Sequence, residues 1–261
     1  MLTRNEKDSS TEARRAEIVN YVLNKGYVSV QDLSKEFDVS MVTIRAYLTM
    51  LEKAGLLQRR HGGAAAPTDN IPGEIAFQSR ARLQQEAKRR IGKAAASLVN
   101  DGDTILIDSS TTGFYVAHYT REKDDLKVVT NGINTALELM RNGQTTIMIG
   151  GMLSDKTYGT VGRLGRNTLS EIRVQKAFLG ARGLTLRDGL TDSNLLEVEL
   201  KQAMVEIASE LIAIVDSTKF NVVGFSSFAP INRVSTILTD EGVSEDMKHS
   251  LEDIGVKVII T

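Results

Sequence analysis

SVQDLSKEFDVSMVTIRAYLTMLEKAGLLQRRHGG, residues 29–63, carries two short helical patterns, a tight junction between them and a basic tail rich in glycine. In the first pattern Leu33 and Phe37 lie one helical turn apart and form an apolar face, and Asp38 and Val39 make the turn. Ser40 is placed to cap the second helix by accepting from an N–H of its first turn. In that helix Ile44, Leu48 and Leu51 recur at helical spacing and face inward. Val42, Ala46 and Thr49 then point the other way, with Thr43 and Arg45 on the flanks. A helix held in this manner offers its N-terminal outer face to the major groove of a DNA duplex. A plain helical hairpin fits the two patterns equally well. The tail separates the readings: Gln58-Arg59-Arg60-His61-Gly62-Gly63 follows Gly55-Leu56-Leu57 and suits a small β-wing with two guanidiniums for phosphates. The expected DNA contacts are Ser40, Met41, Val42, Thr43, Arg45, Ala46, Arg59, Arg60 and His61.

Arg14-Arg15, Val39-Ser40, Val42-Thr43-Ile44-Arg45, Leu48, Leu51-Glu52, Gly55-Leu56-Leu57, Arg59 and His61-Gly62-Gly63-Ala64 resemble the N-terminal signature of DeoR-type bacterial sugar-operon repressors. That family usually carries Ile-Arg-Arg-Asp-Leu where this chain has Ile44-Arg45-Ala46-Tyr47-Leu48. Ala46 lacks the long cationic side chain, and Tyr47 replaces an acid.

The 261 residues allow one large domain plus a small one. A hydrophobic share of 41% and a charged share of 25% are those of an ordinary globular protein. No run of about 18 apolar residues exists, so no membrane partner is expected. The polar start MLTRNEKDSSTEARR lacks the apolar core of a signal peptide, and with the absence of Cys this fits a cytoplasmic location. Neither a cofactor nor a metal is expected. Net charge is −1, yet residues 1–66 hold ten Lys/Arg against eight Asp/Glu. So weak a positive balance requires several copies to bind DNA firmly, which predicts a homo-oligomer, a dimer or a tetramer.

A helix is expected over 11–24. The winged helix-turn-helix unit spans 1–64, and 65–73, which holds two of the three prolines, reads as a linker. Residues 74–98 look helical, with Arg80, Arg82, Lys88, Arg89 and Arg90 on a solvated face. Beyond 101, short apolar strands at 104–107, 127–130, 146–149, 177–179, 211–215, 236–238 and 257–260 alternate with helices such as 134–141, 195–210 and 244–253. This alternation argues for an α/β domain over 74–261, a parallel sheet covered on both faces.

Ligands of such sheets bind beyond the carboxyl ends of the strands. There Asp108, Ser109, Ser110, Thr111 and Thr112 precede a helix, a setting that suits a phosphate; simple capping is the alternative. Thr130, Asn131, Gly150 and Gly151 stand at two further ends. Lys219 is a candidate phosphate partner, although such a Lys is usually solvated. Glu197 and Lys201 lie four apart on one helix, where a surface pair is the ordinary outcome. The same repressors' effector domain is similar to this half at 108–112, Thr130-Asn131, Gly150-Gly151, Lys176-Ala177-Phe178-Leu179-Gly180, Gly189-Leu190, Glu197, Lys201 and Asp216-Ser217-Thr218-Lys219-Phe220. That domain resembles ribose-5-phosphate isomerase and glucosamine-6-phosphate deaminase, which implies a phosphorylated sugar as effector. Ser110 stands where the family has Gly, and a serine resists positive φ. An active isomerase or deaminase with a DNA-binding appendage is the alternative. Those isomerases place acids after the strand that here ends Leu179-Gly180-Ala181-Arg182-Gly183, and no acid appears in that loop. With Glu197 as a lone candidate base, the acid/base set is incomplete, and a repressor is the expected function.

Overall fold

A computed structural model describes residues 14–15, 17–19, 21–22, 25–53, 56–60, 62–65 and 73–261. The chain forms two compact units, Met1–Leu83 and Gln84–Thr261. In the first, the helical residues 14–15, 17–19, 21–22 and 25 (α1) precede β1 (Tyr27–Ser29), α2 (Val30–Glu36) and α3 (Met41–Lys53). Ser29 caps α2 by accepting from the Asp32 N–H at 3.0 Å. Ser40 does the same for α3, accepting from the Thr43 N–H at 3.2 Å. Asp38 turns the chain between them with φ 48, a left-handed conformation that Asp tolerates better than most residues. Ile18, Val22, Leu33, Ile44 and Leu48 meet in a core closed to solvent. The helical periodicity of residues 29–53 is thus matched residue for residue by burial.

The wing forms as expected. β2 (Gln58–Arg60) and β3 (Gly63–Ala65) pair antiparallel, Arg59 opposite Ala64 and Arg60 opposite Gly63, and β1 completes the sheet in the order β1-β3-β2. Gly62 turns the tip with φ 74, and a Cβ on Gly63 would lie 2.2 Å from the Val28 carbonyl oxygen. His61 falls outside the described residues. Residues 74–98 are helical, in two pieces. α4 (Gly73–Arg82) and α5 (Gln85–Ser97) are separated at Leu83 and Gln84, because Gln84 takes φ 52 and breaks the i→i−4 ladder. Lys88 is also not solvated; it is buried on α5.

The second unit continues with β4 (Thr104–Ile107), α6 (Thr111–Tyr119), β5 (Lys127–Thr130), α7 (Ile133–Arg141), β6 (Thr145–Met148), β7 (Met152–Ser154), β8 (Gly159–Val161), α8 (Arg163–Leu169) and β9 (Val174–Leu179). β10 (Gly183–Thr185), β11 (Gly189–Asp192), α9 (Leu195–Ile207), β12 (Ala208–Ile214), β13 (Ser226–Ala229), β14 (Thr236–Thr239), α10 (Glu245–Asp253) and β15 (Lys257–Ile260) follow. All seven expected strands lie in one parallel sheet, ordered β15-β14-β12-β9-β4-β5-β6. Alternate residues feed opposite faces. Ile105 and Ile107 pack with Ile91, Val116 and Leu139 of α5, α6 and α7, whereas Leu106 packs with Leu169, Met204 and Leu251 of α8, α9 and α10. The helix expected over 195–210 ends at Ile207, because Ala208 already pairs with Val174 in the sheet. The antiparallel pieces, β7 with β8 and β10-β11-β13, were not anticipated from the sequence. The sheet runs outward in both directions from the β4–β9 boundary, so its switch point lies where Asp108 and Gly180 emerge.

Gly63→Ala should open the wing. The clashing atom is backbone and cannot rotate away, so a loss of about 1–3 kcal/mol is expected. Hydrogen exchange on the full chain is the measurement, with amides of 27–29 and 63–65 exchanging faster. Unchanged protection there would refute the close approach as a constraint.

Candidate functional sites

The outer face of α3 starts with Met41 and Val42, the latter 73% exposed, and continues with exposed Arg45 and Ala46. Thr43 is half-buried, its Oγ1 2.9 Å from the Ser40 Oγ. Arg60 is exposed on the wing. Arg59 is exposed but fixed. Its N–H donates to Glu52 Oε1 at 2.9 Å and its Nη1 to Thr49 Oγ1 at 3.2 Å, while the Thr49 hydroxyl donates to the Arg45 carbonyl at 2.9 Å. The wing is therefore stapled to α3 through Thr49 and Glu52. Tyr47, the replacement for the family's acid, lies under the Arg15 guanidinium, 5.2 Å from ring centroid to carbon.

In the second unit the rim of the sheet is organised around Asp108. Its carboxylate is fully buried and accepts from the Ser110 N–H at 3.1 Å and the Gly180 N–H at 3.0 Å. Lys201 Nζ lies 3.3 Å away and donates to Asp192 Oδ2 and to the Gly180 carbonyl, each at 2.8 Å. The ammonium also stands 4.9 Å from the centre of the Phe228 ring. Burial alone would lower the Lys201 pKa, but Asp192, Asp108 and Glu197 outweigh it and hold the value above that of an ordinary lysine. Glu197 and Lys201 are both buried, so they are not a surface pair. The i,i+4 spacing shows a shared helix face and says nothing of depth. The signal lay in the neighbours: Leu200 and Met204 share the face of Glu197 and Lys201, while Glu199, Gln202 and Glu206 take the opposite, outward side of α9.

Ser110 takes φ −70 and ψ 154, ordinary extended backbone, and caps α6 by accepting from the Gly113 N–H at 2.9 Å. The expected conflict with positive φ does not arise. The need for glycine is met at Gly180 instead, where a Cβ would lie 2.6 Å from the Ser110 Cβ. Ser109, Thr111 and Thr112 are buried in the same turn. Asn131 follows the adjacent strand; its Nδ2 is 3.4 Å from the Ser109 Oγ and donates to the Thr160 carbonyl at 2.8 Å, and its Oδ1 is buried without a hydrogen-bond partner. Thr130 Oγ1 accepts from the Gly132 N–H at 3.1 Å. The structure thus brings Asp108, Ser109, Ser110, Thr111, Thr112, Thr130 and Asn131 to two neighbouring strand ends.

Gly150 and Gly151 stand at the end of β6, two strands from β4. Gly151 approaches the Val161 carbonyl, where a Cβ would lie 2.8 Å away, and Gly150 faces open space. Lys219 emerges from β12, two strands from β4 on the other side, with Nζ 4.0 Å from Asp216 Oδ2. Burial would raise the pKa of Asp216, but Lys219, Lys88 and the bonds from Thr218 bring it below the usual carboxylate range. Sequence reasoning missed the burial of Lys88 and Lys201, and it missed Asp192 and the half-buried Arg182, two residues beyond Gly180. Among the described residues, no hydrogen bond or ion pair engages the Arg182 guanidinium.

Residues 14–70 match the DeoR-like helix-turn-helix domain and residues 83–241 the DeoR C terminal sensor domain. The chain belongs to the DeoR family. It is 33% identical over 254 residues to the putative aga operon transcriptional repressor of Escherichia coli O157:H7, covering 97% of this chain and 94% of that protein. It is 32% identical over 224 residues to the glycerol-3-phosphate regulon repressor of Escherichia coli K12, covering 85% and 88%. Among solved structures, ribose 5-phosphate isomerase A from Neisseria gonorrhoeae is similar at 14% identity and a TM-score of 0.41, over 54% of this chain and 55% of that one. This DeoR-family chain is a DNA-binding transcriptional regulator and not an isomerase. Among the described residues, no helix is long and apolar enough to cross a membrane.

Lys201→Met should cost about 3–5 kcal/mol, because the aliphatic length is kept while Asp108 and Asp192 lose their buried counter-charge. Denaturant unfolding of the full chain would read this directly. Wild-type stability in the variant would mean that these carboxylates are held by their other bonds alone.

Proposed function

We propose that this regulator is a cytoplasmic repressor of a sugar-catabolic operon, bound to its operator as a homo-oligomer and released by a phosphorylated sugar. The observation that carries the proposal is the first turn of α6. There the N–H groups of Thr111 and Thr112 open a helix with no preceding carbonyl to bond, beside the hydroxyls of Ser109, Thr111 and Thr112. The orphaned Asn131 Oδ1 at the adjacent strand end is a ready acceptor for a hydroxyl. The two sides of this rim differ in charge. Asp108, Asp192 and Glu197 outnumber Lys201, so sugar hydroxyls belong on the Glu197 side and the phosphate on the helix N-terminus. Lys219 is a candidate cation for the phosphate, as is Arg182, which stands one strand nearer.

On the DNA, Val42 and Ala46 suit thymine methyls, and Thr43 suits a base or a phosphate. Ser40, Met41 and Arg45 complete the groove face; Arg59, Arg60 and His61 suit the flanking phosphates. Arg45→Ala, and the double change Arg59→Ala with Arg60→Ala, should weaken operator binding. Each guanidinium withdrawn from a phosphate should also flatten the salt dependence by about one unit of log–log slope. Anisotropy titrations at several salt concentrations test this; an unchanged slope in both variants refutes the assignment.

For the effector, calorimetry of the full chain against a panel of pentose, hexose and hexosamine phosphates should find a binder. Thr111→Ala and Lys219→Ala should then bind operator normally and that sugar phosphate about 10- to 150-fold more weakly, the equivalent of roughly 1.5–3 kcal/mol. Linkage makes release fail in proportion, since a ligand shifts DNA binding only by its differential affinity for the two states. Wild-type affinity in both variants would place the effector elsewhere.

A further inference from the structure

The outer face of α3 carries an apolar strip. Met41, Val42 and Met50 are 46%, 73% and 48% exposed, and Ala46 is exposed between them. Val42, Ala46 and Met50 follow one another at i, i+4 and i+8, so they share one side of the helix at intervals of about 6 Å along its axis. The core of the unit takes Ile44, Leu48 and Leu51 from the other side of α3 and makes no use of the strip. From Met41 to Met50 the only charged side chain is Arg45, on the flank. The hydroxyls of this stretch are already engaged. Thr43 Oγ1 lies 2.9 Å from the Ser40 Oγ, and the Thr49 hydroxyl donates to the Arg45 carbonyl while it accepts from Arg59 Nη1. The strip therefore offers methyl, methylene and thioether groups, and no side-chain donor.

In the major groove guanine, adenine and cytosine are read through donors and acceptors, and thymine alone adds a methyl group. A strip without donors selects among bases by burying that methyl. Its spacing of about 6 Å compares with roughly 3.4 Å per base step, so successive side chains meet bases about two steps apart. We infer that α3 reads its operator through thymine methyl groups, with Met50 as a reading residue beside Val42 and Ala46. Each half-site then carries thymines about two base steps apart under the helix. The occupant of the strip is the duplex, because the chain is a DNA-binding regulator and the wing tied to α3 by Arg59 holds exposed Arg60 for adjoining phosphates. Thymine readout rests on the operator-binding reading and extends it to a class of base and to Met50.

Selection by the full chain from a random duplex library, followed by anisotropy titration of the enriched duplex with deoxyuridine in place of thymidine, tests this. Uracil keeps the pairing edge and the O4 acceptor and lacks only the methyl. The wild type should bind the uracil duplex about fourfold more weakly per contacted methyl, with an unchanged salt slope. Met50→Ser, at an exposed position, should keep the circular dichroism of the wild type and remove one such step from the difference between the two duplexes. Ala46→Arg, which adds a donor fork to the strip, should enrich guanine at the base it faces. Equal affinity of the wild type for the two duplexes, or enrichment of the wild-type site by Ala46→Arg, would overturn the inference. A uracil effect that Met50→Ser leaves whole would also overturn it, since the effect would then reside in duplex shape or in other side chains. The failures separate. A library in which no sequence is enriched removes the operator-binding reading and thymine readout with it, whereas an enriched duplex bound equally well with uracil removes thymine readout alone.

Discussion

One buried ammonium governs the rim of the larger unit. Lys201 reaches from α9 to Asp108 at the end of β4, to the Gly180 carbonyl at the end of β9 and to Asp192 at the end of β11. These are the elements that meet at the switch point of the sheet, and each contributes a polar group that would be costly to bury alone. Asp108 is in turn committed to two backbone N–H groups and this lysine, so it shapes the 108–112 turn and has little capacity left for a ligand. The turn is thereby held by the protein's own groups, with Ser109, Thr111 and Thr112 buried in it. Three carboxylates, Asp108, Asp192 and Glu197, gather round this one lysine, whereas the loop after β9 carries Arg182, whose guanidinium keeps its charge at neutral pH.

Much of the fold was legible because burial and period coincide. Val128-Val129 and Ile105-Leu106-Ile107 are buried on both sides, so their strands read as continuous apolar runs, and all seven strands of the main sheet were found. The hairpins β7–β8 and β10–β11 were not, since strands of three or four residues, such as Met-Leu-Ser and Gly-Leu-Thr, are too short to carry a period that distinguishes a strand from a turn. Depth was the harder quantity. Lys88 and Lys201 looked like surface charges because helical spacing gives the direction of a side chain and not what covers it; their partners Asp216 and Asp192 lie 128 residues downstream and 9 upstream, respectively. The role of Gly180 was equally hidden, because it depends on Ser110, seventy residues away in sequence.

In the DNA-binding unit the departures from the family pattern separate fold from specificity. Tyr47 stands where the family signature has an acid, and the face of its ring lies under the Arg15 guanidinium. That contact ties α1 to α3 and contributes about 0.5–1 kcal/mol. Ala46 is different: it lies on the exposed face and supports no packing, so the loss of a guanidinium there has no structural consequence. Arg59, bonded to Thr49 and Glu52, and Thr49, bonded to the Arg45 carbonyl, meanwhile lock the wing to the helix and fix the angle between the two. With the frame held in this way and position 46 reduced to a methyl, the change alters only the exposed face of α3 and leaves the packing beneath it untouched.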